Sequence, residues 1–196
     1  MRHNHRLEGY AFALRPVELA DAEFIVAVRT SAPERTRYLH PISPDVAAQR
    51  QWLEGYFARA DDYYWVIERH EGAEREGLIG IYDLDRATAS AEWGRWVLRP
   101  GSLAAVESAL LIYRAGFETL GLQALHCLTV AENLPVLSFH DSCGLARLAT
   151  LERRYTLGDG AHDAVKHGCT RAEWPALRAR LEPQAQRIAQ RLKRTA

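Results

Sequence analysis

AEWGRWVLRPGSLAAVESALLIYRAGFETLGLQALHCLTV, Ala91–Val130, is the stretch that decides the fold. Ala91–Arg99 reads as a strand that ends at Pro100, which has no N–H to extend a ladder. Gly101–Gly121 follows as a long helix, closed by a glycine suited to a helix C-terminus. Leu122–Val130 is a second strand. Strand, helix and strand in that order make a crossover unit within one sheet.

Upstream, a strand is expected around Ala11–Arg15 and a helix over roughly Ala20–Arg29, with Pro16 between them. SPDVAAQRQWLEGYF (Ser43–Phe57) reads as a helix with Ser43 as N-cap, Pro44 at the first helical position and Asp45 near the positive end. Tyr63–Arg69 and Gly77–Leu84 are strands separated by the turn HEGAEREG, which suits a hairpin.

Downstream, ENLPVLSFHDSCGL (Glu132–Leu145) is a short helix entered through Asn133 and Pro135 and ended by Gly144. Ala146–Leu157, the turn GDGAH and Asp163–Thr170 form a last hairpin. In the closing segment Thr170 and Glu173 stand at capping-box spacing, and Pro183 is expected to bend or divide the helix. The class expected is a single-domain mixed α/β (α+β) fold. Its sheet is largely antiparallel and twisted, about seven strands flanked by helices, over residues 1–171, with a C-terminal helical extension over 172–196.

Composition bounds the function. The 196 residues carry 25 basic and 25 acidic side chains, and this zero balance argues against nucleic acid as a partner. No apolar run is long enough to span a bilayer, and MRHNHRLEGY has no secretory apolar core. Cys127, Cys143 and Cys169 are odd in number and widely spaced, so no disulfide framework is expected and a reduced, cytoplasmic compartment is.

This order of elements and four motifs together resemble the GNAT superfamily of acyl-CoA-dependent N-acetyltransferases. Within it they resemble the subfamily that acetylates ribosomal protein N-termini, which also holds amino-sugar acetyltransferases. LRPVELADAEFIVAVR looks like that subfamily's opening. AEWGRWVLRP resembles its fourth strand, usually an acidic residue followed by Ile-Gly-Tyr. AENLPVLSFHDSCGL resembles Asn-x-x-Ala-x-x-x-Tyr-x-x-x-Gly-Phe, and TRAEWPAL its C-terminal signature. The resemblance spans about Phe12 to Leu177. Two departures stand out. The family's loop Arg/Gln-x-x-Gly-x-Gly/Ala is here RPGSLAAVE with Gly101 alone, and His140 replaces the family's Tyr.

The resemblance implies direct attack of an amine on the thioester of acetyl-CoA, the acyl-donor substrate, with no metal. Backbone donors on an open strand edge and at a helix N-terminus would hold the pantetheine arm and pyrophosphate. Trp96, Val97, Leu98, Arg99, Gly101, Ser102, Leu103, Ala104 and Ala105 fit that step, and an ordinary helix start capped by Ser102 is the plain alternative. Asn133, Val136 and His140 lie at i, i+3 and i+7 and share one helical face. By resemblance Asn133 would bond the pantetheine arm and His140 would donate a proton to the departing thiolate. As a side chain alone, Asn133 is a helix cap and His140 a partly exposed surface residue. A thiol pKa of about 8.5 makes the thiolate a fair leaving group, and an imidazole with a pKa of about 6.5 can also act as a cation.

Glu92 is the first candidate for the base that frees the amine, with Asp83 and Asp85 second. Strand alternation puts Glu92, Gly94, Trp96 and Leu98 on one side and Trp93, Arg95 and Val97 on the other. The amides of Trp96 to Leu98 are natural oxyanion donors.

His140 and Cys143, with His162, His167 and Cys169, have metal-like types but no paired spacing, so zinc is not expected. HEGAE lacks the second His of a metalloprotease helix. Trp52, Trp65, Trp93 and Trp96 are candidates for an acceptor pocket or for core. Trp174, Leu177, Leu181, Ile188 and Leu192 form a stripe that packs either on its own domain or on a second subunit, giving a monomer or a homodimer. The acceptor implied is a small-molecule or peptide amine. A non-catalytic acyl-CoA sensor, or a subunit of a larger assembly, is the reading from a different class.

Overall fold

A computed structural model describes residues 3–158 and 160–195. Its strands are β1 (Leu7–Glu8), β2 (Phe12–Pro16), β3 (Tyr63–Arg69), β4 (Arg75–Asp85), β5 (Ser90–Leu98), β6 (Ala124–Val130), β7 (Ala146–Leu157) and β8 (Gly160–Thr170). Its α-helices are α1 (Ala22–Thr30), α2 (Pro33–Thr36), α3 (Val46–Phe57), α4 (Ala105–Arg114), α5 (Leu134–Cys143) and α6 (Trp174–Thr195). The strands form one sheet in the order β1-β2-β3-β4-β5-β6-β8-β7. Every neighbouring pair is antiparallel except β5–β6, the two strands joined by the α4 crossover. The expected class stands, with one strand more than expected because two-residue β1 is too short to show a period.

The sheet is buried on both faces. On one face Trp65 and Ile67 of β3 meet Leu111 and Tyr113 of α4 and Leu181 of α6. On the other, Tyr64 and Val66 meet Ile25 of α1 and Leu53 of α3. Alternate residues of β3 therefore feed two cores, and each large side chain so buried contributes about 1.5–3 kcal/mol. The fully buried Glu107, in the first turn of α4, accepts from the amides of Tyr10, Ala11 and Phe12 and ties that turn to the entrance of β2.

Several boundaries differ from expectation for local reasons. Asp45, not Ser43, caps α3: its carboxylate accepts from the Ala47 amide at 2.8 Å, while Ser43 Oγ accepts from the Asp45 amide one step earlier. The helix after β5 begins at Ala105 and relaxes into a π turn over Ala115–Thr119 before Gly121, whose φ is +72°. Helix α6 runs undivided through Pro183, because Leu177, Leu181, Ala185 and Leu192 hold both halves to the same core. The Trp174 stripe thus packs on its own chain. Of the last hairpin turn, Asp159 lies outside the described residues.

The departure that matters most is in β5. Leu78 pairs with Val97 and Gly80 with Gly94, so two steps along β4 oppose three along β5. The extra residue is a β-bulge, and Arg95 takes a φ of +50° within it. Expected alternation fails there. Trp93, Trp96 and Leu98 all face the α4 core, while Val97 faces the α1–α3 core. Arg95 is held by Asp62 at 2.5 and 2.9 Å, with its guanidinium 4.5 Å from the Tyr82 ring centre.

Candidate active site

Strands β5 and β6 pair only from Ser90↔Ala124 to Glu92↔His126. Past that point they part, and the bulge turns β5 further away. Between the diverging strands lies a cavity of about 790 Å³. Glu92, Trp93 and Trp96 line it from β5, Cys127 and Thr129 from β6, and Asn133, Val136 and His140 from α5. The i, i+3, i+7 face read from the sequence is the face that α5 presents to this cleft.

His140 is buried, not a partly exposed surface residue, with 1% of its surface accessible. Its Nε2 lies 3.6 Å from Cys127 Sγ, and Nδ1 has no hydrogen-bond partner among the described residues. The Trp93 ring meets it edge to face at 5.4 Å. Burial, and then the neighbouring His167, bring its pKa down to about 3. The imidazole is therefore neutral at any working pH, and the cationic form considered from the sequence is not available to it.

Glu92 is also buried, and its Oε1 accepts from Tyr82 Oη at 3.0 Å. Desolvation raises its pKa, which favours a group that can pick up a proton. Asp83 lines the same cavity. Asp85 does not: its carboxylate is spent on the Ala87 amide at 2.9 Å and the Thr88 hydroxyl at 2.7 Å, in the turn before β5.

The step after β5 is half occupied. The Arg99 amide donates to the Glu76 carbonyl at 2.8 Å, Ser102 to the Arg99 carbonyl at 3.1 Å, and Ala104 to Ser102 Oγ at 3.2 Å. Those amides are not open donors. The amides of Gly101, Leu103 and Ala105 have no acceptor among the described residues. Gly101 has a φ of +79° with open space where a Cβ would stand. The β4 register, with Arg99 bonded to Glu76, turns the Val97 amide into the ladder and the Leu98 amide toward the parted edge. Of the amides expected as oxyanion donors, that of Val97 is thereby taken up by the β4 ladder and that of Leu98 is not. Asn133 makes no side-chain cap bond; its carbonyl accepts from Val136 and Leu137, each at 3.1 Å.

Trp52, Trp93 and Trp96 reach the cavity, but Trp65 is wholly in the core with its Nε1 bonded to the His5 carbonyl at 2.7 Å. Tyr82, Arg154 and Tyr155 also line the cavity, as does the segment 38–43 between α2 and α3. That segment crosses the cleft: Tyr38 Oη donates to the Glu132 carbonyl at 3.3 Å, and His40 packs edge-on against Tyr155 at 5.9 Å. The segment carries no periodic pattern, so nothing local marked it. Among the described residues no group of three or more His, Cys, Asp or Glu is placed to hold a metal, and no helix is long and apolar enough to cross a membrane.

Residues 12–146 match the family model described as an acetyltransferase (GNAT) domain. Among solved structures, apo FdhC, described as a nucleotide-linked sugar GNAT, is 30% identical with a TM-score of 0.76, over 92% of this chain and 99% of its own. A GCN5-related N-acetyltransferase from Brucella melitensis is 19% identical with a TM-score of 0.81, over 93% of this chain and 86% of its own. A spermidine N-acetyltransferase SpeG variant from Vibrio cholerae is 15% identical with a TM-score of 0.73, over 85% and 97%. The last two establish the fold alone. No curated protein matches the chain.

Proposed function

The chain belongs to the GNAT acetyltransferase family, and from that premise we propose an acetyl-CoA-dependent N-acetyltransferase that moves an acetyl group directly to a primary amine of a small molecule. The observation that carries this reading is the parting of β5 and β6 after Glu92 and His126, which leaves a strand edge unpaired beside a cavity. An unpaired edge inside a fold needs a partner for its N–H and C=O groups, and an amide-bearing pantetheine arm is such a partner. The residues fit the donor substrate: Leu98 and Asn133 along its arm, and the amides of Gly101, Leu103 and Ala105 at its phosphates. When bound, the donor supplies an activated acyl carbon.

The chain's own groups then have distinct tasks. Glu92, raised by burial and oriented by Tyr82, takes the proton from the amine. His140, held neutral, offers an imidazole N–H to the departing sulfur. Leu98 gives its amide to the oxygen that gains charge. Tyr38 and His40 reach across the cleft, which favours a small acceptor over a protein N-terminus. An amino sugar is the acceptor class we favour, supported by the 30% identity to the sugar-nucleotide GNAT.

The test has two steps. Calorimetric titration with acetyl-CoA should show saturable binding, and no binding at millimolar concentration removes the proposal. A screen of amines that reports free thiol should then find turnover. Binding with no thiol release from any amine selects the non-catalytic sensor instead.

A further inference from the structure

We propose that Arg29 and Gln49 form a specificity subsite for the acceptor, and that it takes an anion: a phosphate or carboxylate carried by the amine several bonds from its nitrogen. This rests on the acetyltransferase reading above and narrows its acceptor to an anionic amino sugar.

The cavity has walls on both faces of the sheet. Trp93 and Trp96 line it and pack with the core under α4, whereas Ile25, Trp52 and Tyr64 line it and pack with the core under α1 and α3. The donor reading uses the first side, with Leu98, Asn133 and the amides after Pro100. The second side is left to the acceptor.

Two polar side chains on that side lack the partners their burial calls for. Arg29, in the last turn of α1, lines the cavity and is half-buried. Its guanidinium donates to the His40 carbonyl and lies beside the Tyr64 hydroxyl, and no carboxylate pairs with it among the described residues. Gln49 of α3 lines the cavity with 7% of its surface accessible, and its side-chain amide has no hydrogen bond among the described residues. A half-buried cation without a counter-charge and a nearly buried amide without a partner each carry an unmet cost. An anion answers both, since a guanidinium offers its oxygens a two-pronged donor and the amide a further N–H.

The neighbouring charges single out this pair. Asp62 is already spent, on Arg95 at 2.5 and 2.9 Å and on Arg59 at 3.7 Å, so Arg95 is neutralised where it lines the cavity. Among the described residues the carboxylates that line the cavity are Asp83 and Glu92, which suit the ammonium end of the acceptor. A run of side chains leads from Glu92 to Arg29. Tyr82 bonds Glu92 at 3.0 Å, and the Arg95 guanidinium lies 4.5 Å from the Tyr82 ring centre and 5.4 Å from that of Tyr64, whose hydroxyl meets Arg29. Tyr82, Arg95 and Tyr64 thus stand between the base and the unpaired cation. An α-amino acid, with its carboxylate on the carbon beside the amine, is too short to touch both ends, whereas a sugar ring with an anion on a far carbon is not. The other cation of the wall without a carboxylate, Arg154 of β7, is exposed, lies 5.5 Å from the Tyr155 ring centre, and acts at the Glu92 end, where its charge is felt.

The experiment follows thiol release at saturating acetyl-CoA with glucosamine, glucosamine 6-phosphate and 2-amino-2-deoxyglucuronic acid, in wild type, Arg29→Gln, Gln49→Glu and Arg154→Gln. The readout is the ratio of kcat/KM for an anionic amine to that for glucosamine, which general damage to the fold does not move. In wild type the ratio should be about tenfold or more for one of the two anions, and the larger value tells phosphate from carboxylate. In Arg29→Gln it should fall to within about twofold of unity, and likewise in Gln49→Glu, where a like charge in nearly the same volume repels the anion. A wild-type ratio near unity for both anions, or a wild-type ratio kept in either variant, overturns the proposal. So does a ratio lost in Arg154→Gln alone, which would put the anion at the Glu92 end. Calorimetric titration of the same amines into the protein saturated with coenzyme A reads the subsite apart from turnover. An anionic amine that binds about tenfold more tightly than glucosamine, with the preference gone in Arg29→Gln and no thiol released by wild type, sinks the acetyltransferase reading alone. Equal binding of all three amines sinks the anion subsite, whatever the turnover.

Discussion

Trp93 and Trp96 face the same core although they lie three apart in one strand, and their rings meet edge to face at 5.8 Å. The Trp93 indole donates to Tyr113 Oη at 3.0 Å and the Trp96 indole to Ser108 Oγ at 3.1 Å, so both are fastened to α4. This is possible only because Arg95 is the extra residue of the bulge. The Arg95–Asp62 pair therefore holds the bend that opens the cleft. Asp62→Asn leaves a largely buried guanidinium without its counter-charge. It should cost about 3 kcal/mol, measured by urea unfolding at pH 7. An unchanged unfolding midpoint would show that the aromatic rings alone hold Arg95.

Gly101 tests the phosphate step. Its φ of +79° disfavours any residue with a Cβ, yet no atom stands within 4 Å of where that Cβ would be. Gly101→Ala therefore pays only for backbone conformation, about 1 kcal/mol. Should the loop relax to a negative φ, its open amides turn away. Acetyl-CoA dissociation constants about tenfold higher, with little change in kcat, are expected in calorimetry and steady-state assays. Equal affinity in the two proteins would place the phosphates elsewhere.

What could be read from the chain, and what could not, divides along local and non-local physics. The crossover from Ala91 to Val130 is local: an apolar strand, a proline, a helical period and a glycine stop are all written within forty residues. The shared face of Asn133, Val136 and His140 is local too, since helical geometry alone brings i and i+7 together. The bulge at Arg95 is not. It depends on Asp62 and Tyr82, partners that no period-two pattern in β5 announces. His167 was noticed only as a candidate metal ligand, because its place behind His140 follows from β8 pairing with β6. The crossing segment around Tyr38 has no period, and its partners Glu132 and Tyr155 are about a hundred residues away. Pro183 misled because the core contacts that hold α6 through it are tertiary.

Glu92→Gln separates chemistry from binding. The amide keeps an oxygen for Tyr82 Oη and nearly the same volume, so the fold and the acetyl-CoA site should persist. The group that takes the amine proton is lost, and kcat at pH 7 should fall about a hundredfold. Above the amine's own pKa the acceptor is already deprotonated, and the deficit should shrink. A loss of the same size at pH 7 and pH 10, in assays of thiol release, would assign Glu92 a structural role.

His140 also leaves a signature on stability. In the folded chain its pKa is held down at about 3, while the unfolded chain takes up a proton near the ordinary value of about 6.5. Between those values the unfolded state binds more protons, so stability rises with pH and is lost as pH falls from 6.5 toward 3. His3 and His126, both lowered to about 4, act in the same direction. The raised carboxyls of Glu92 and Glu107 act in the opposite one. His140→Phe removes a single contributor, and Phe suits a site walled by Trp93, Trp96 and Phe139. Between pH 7 and pH 5 the wild type should lose about 2 kcal/mol more unfolding free energy than the variant. Urea titrations at the two pH values measure the difference directly. Parallel losses in both proteins would mean that His140 is solvated enough to protonate in place, and the neutral proton donor would lose its physical basis.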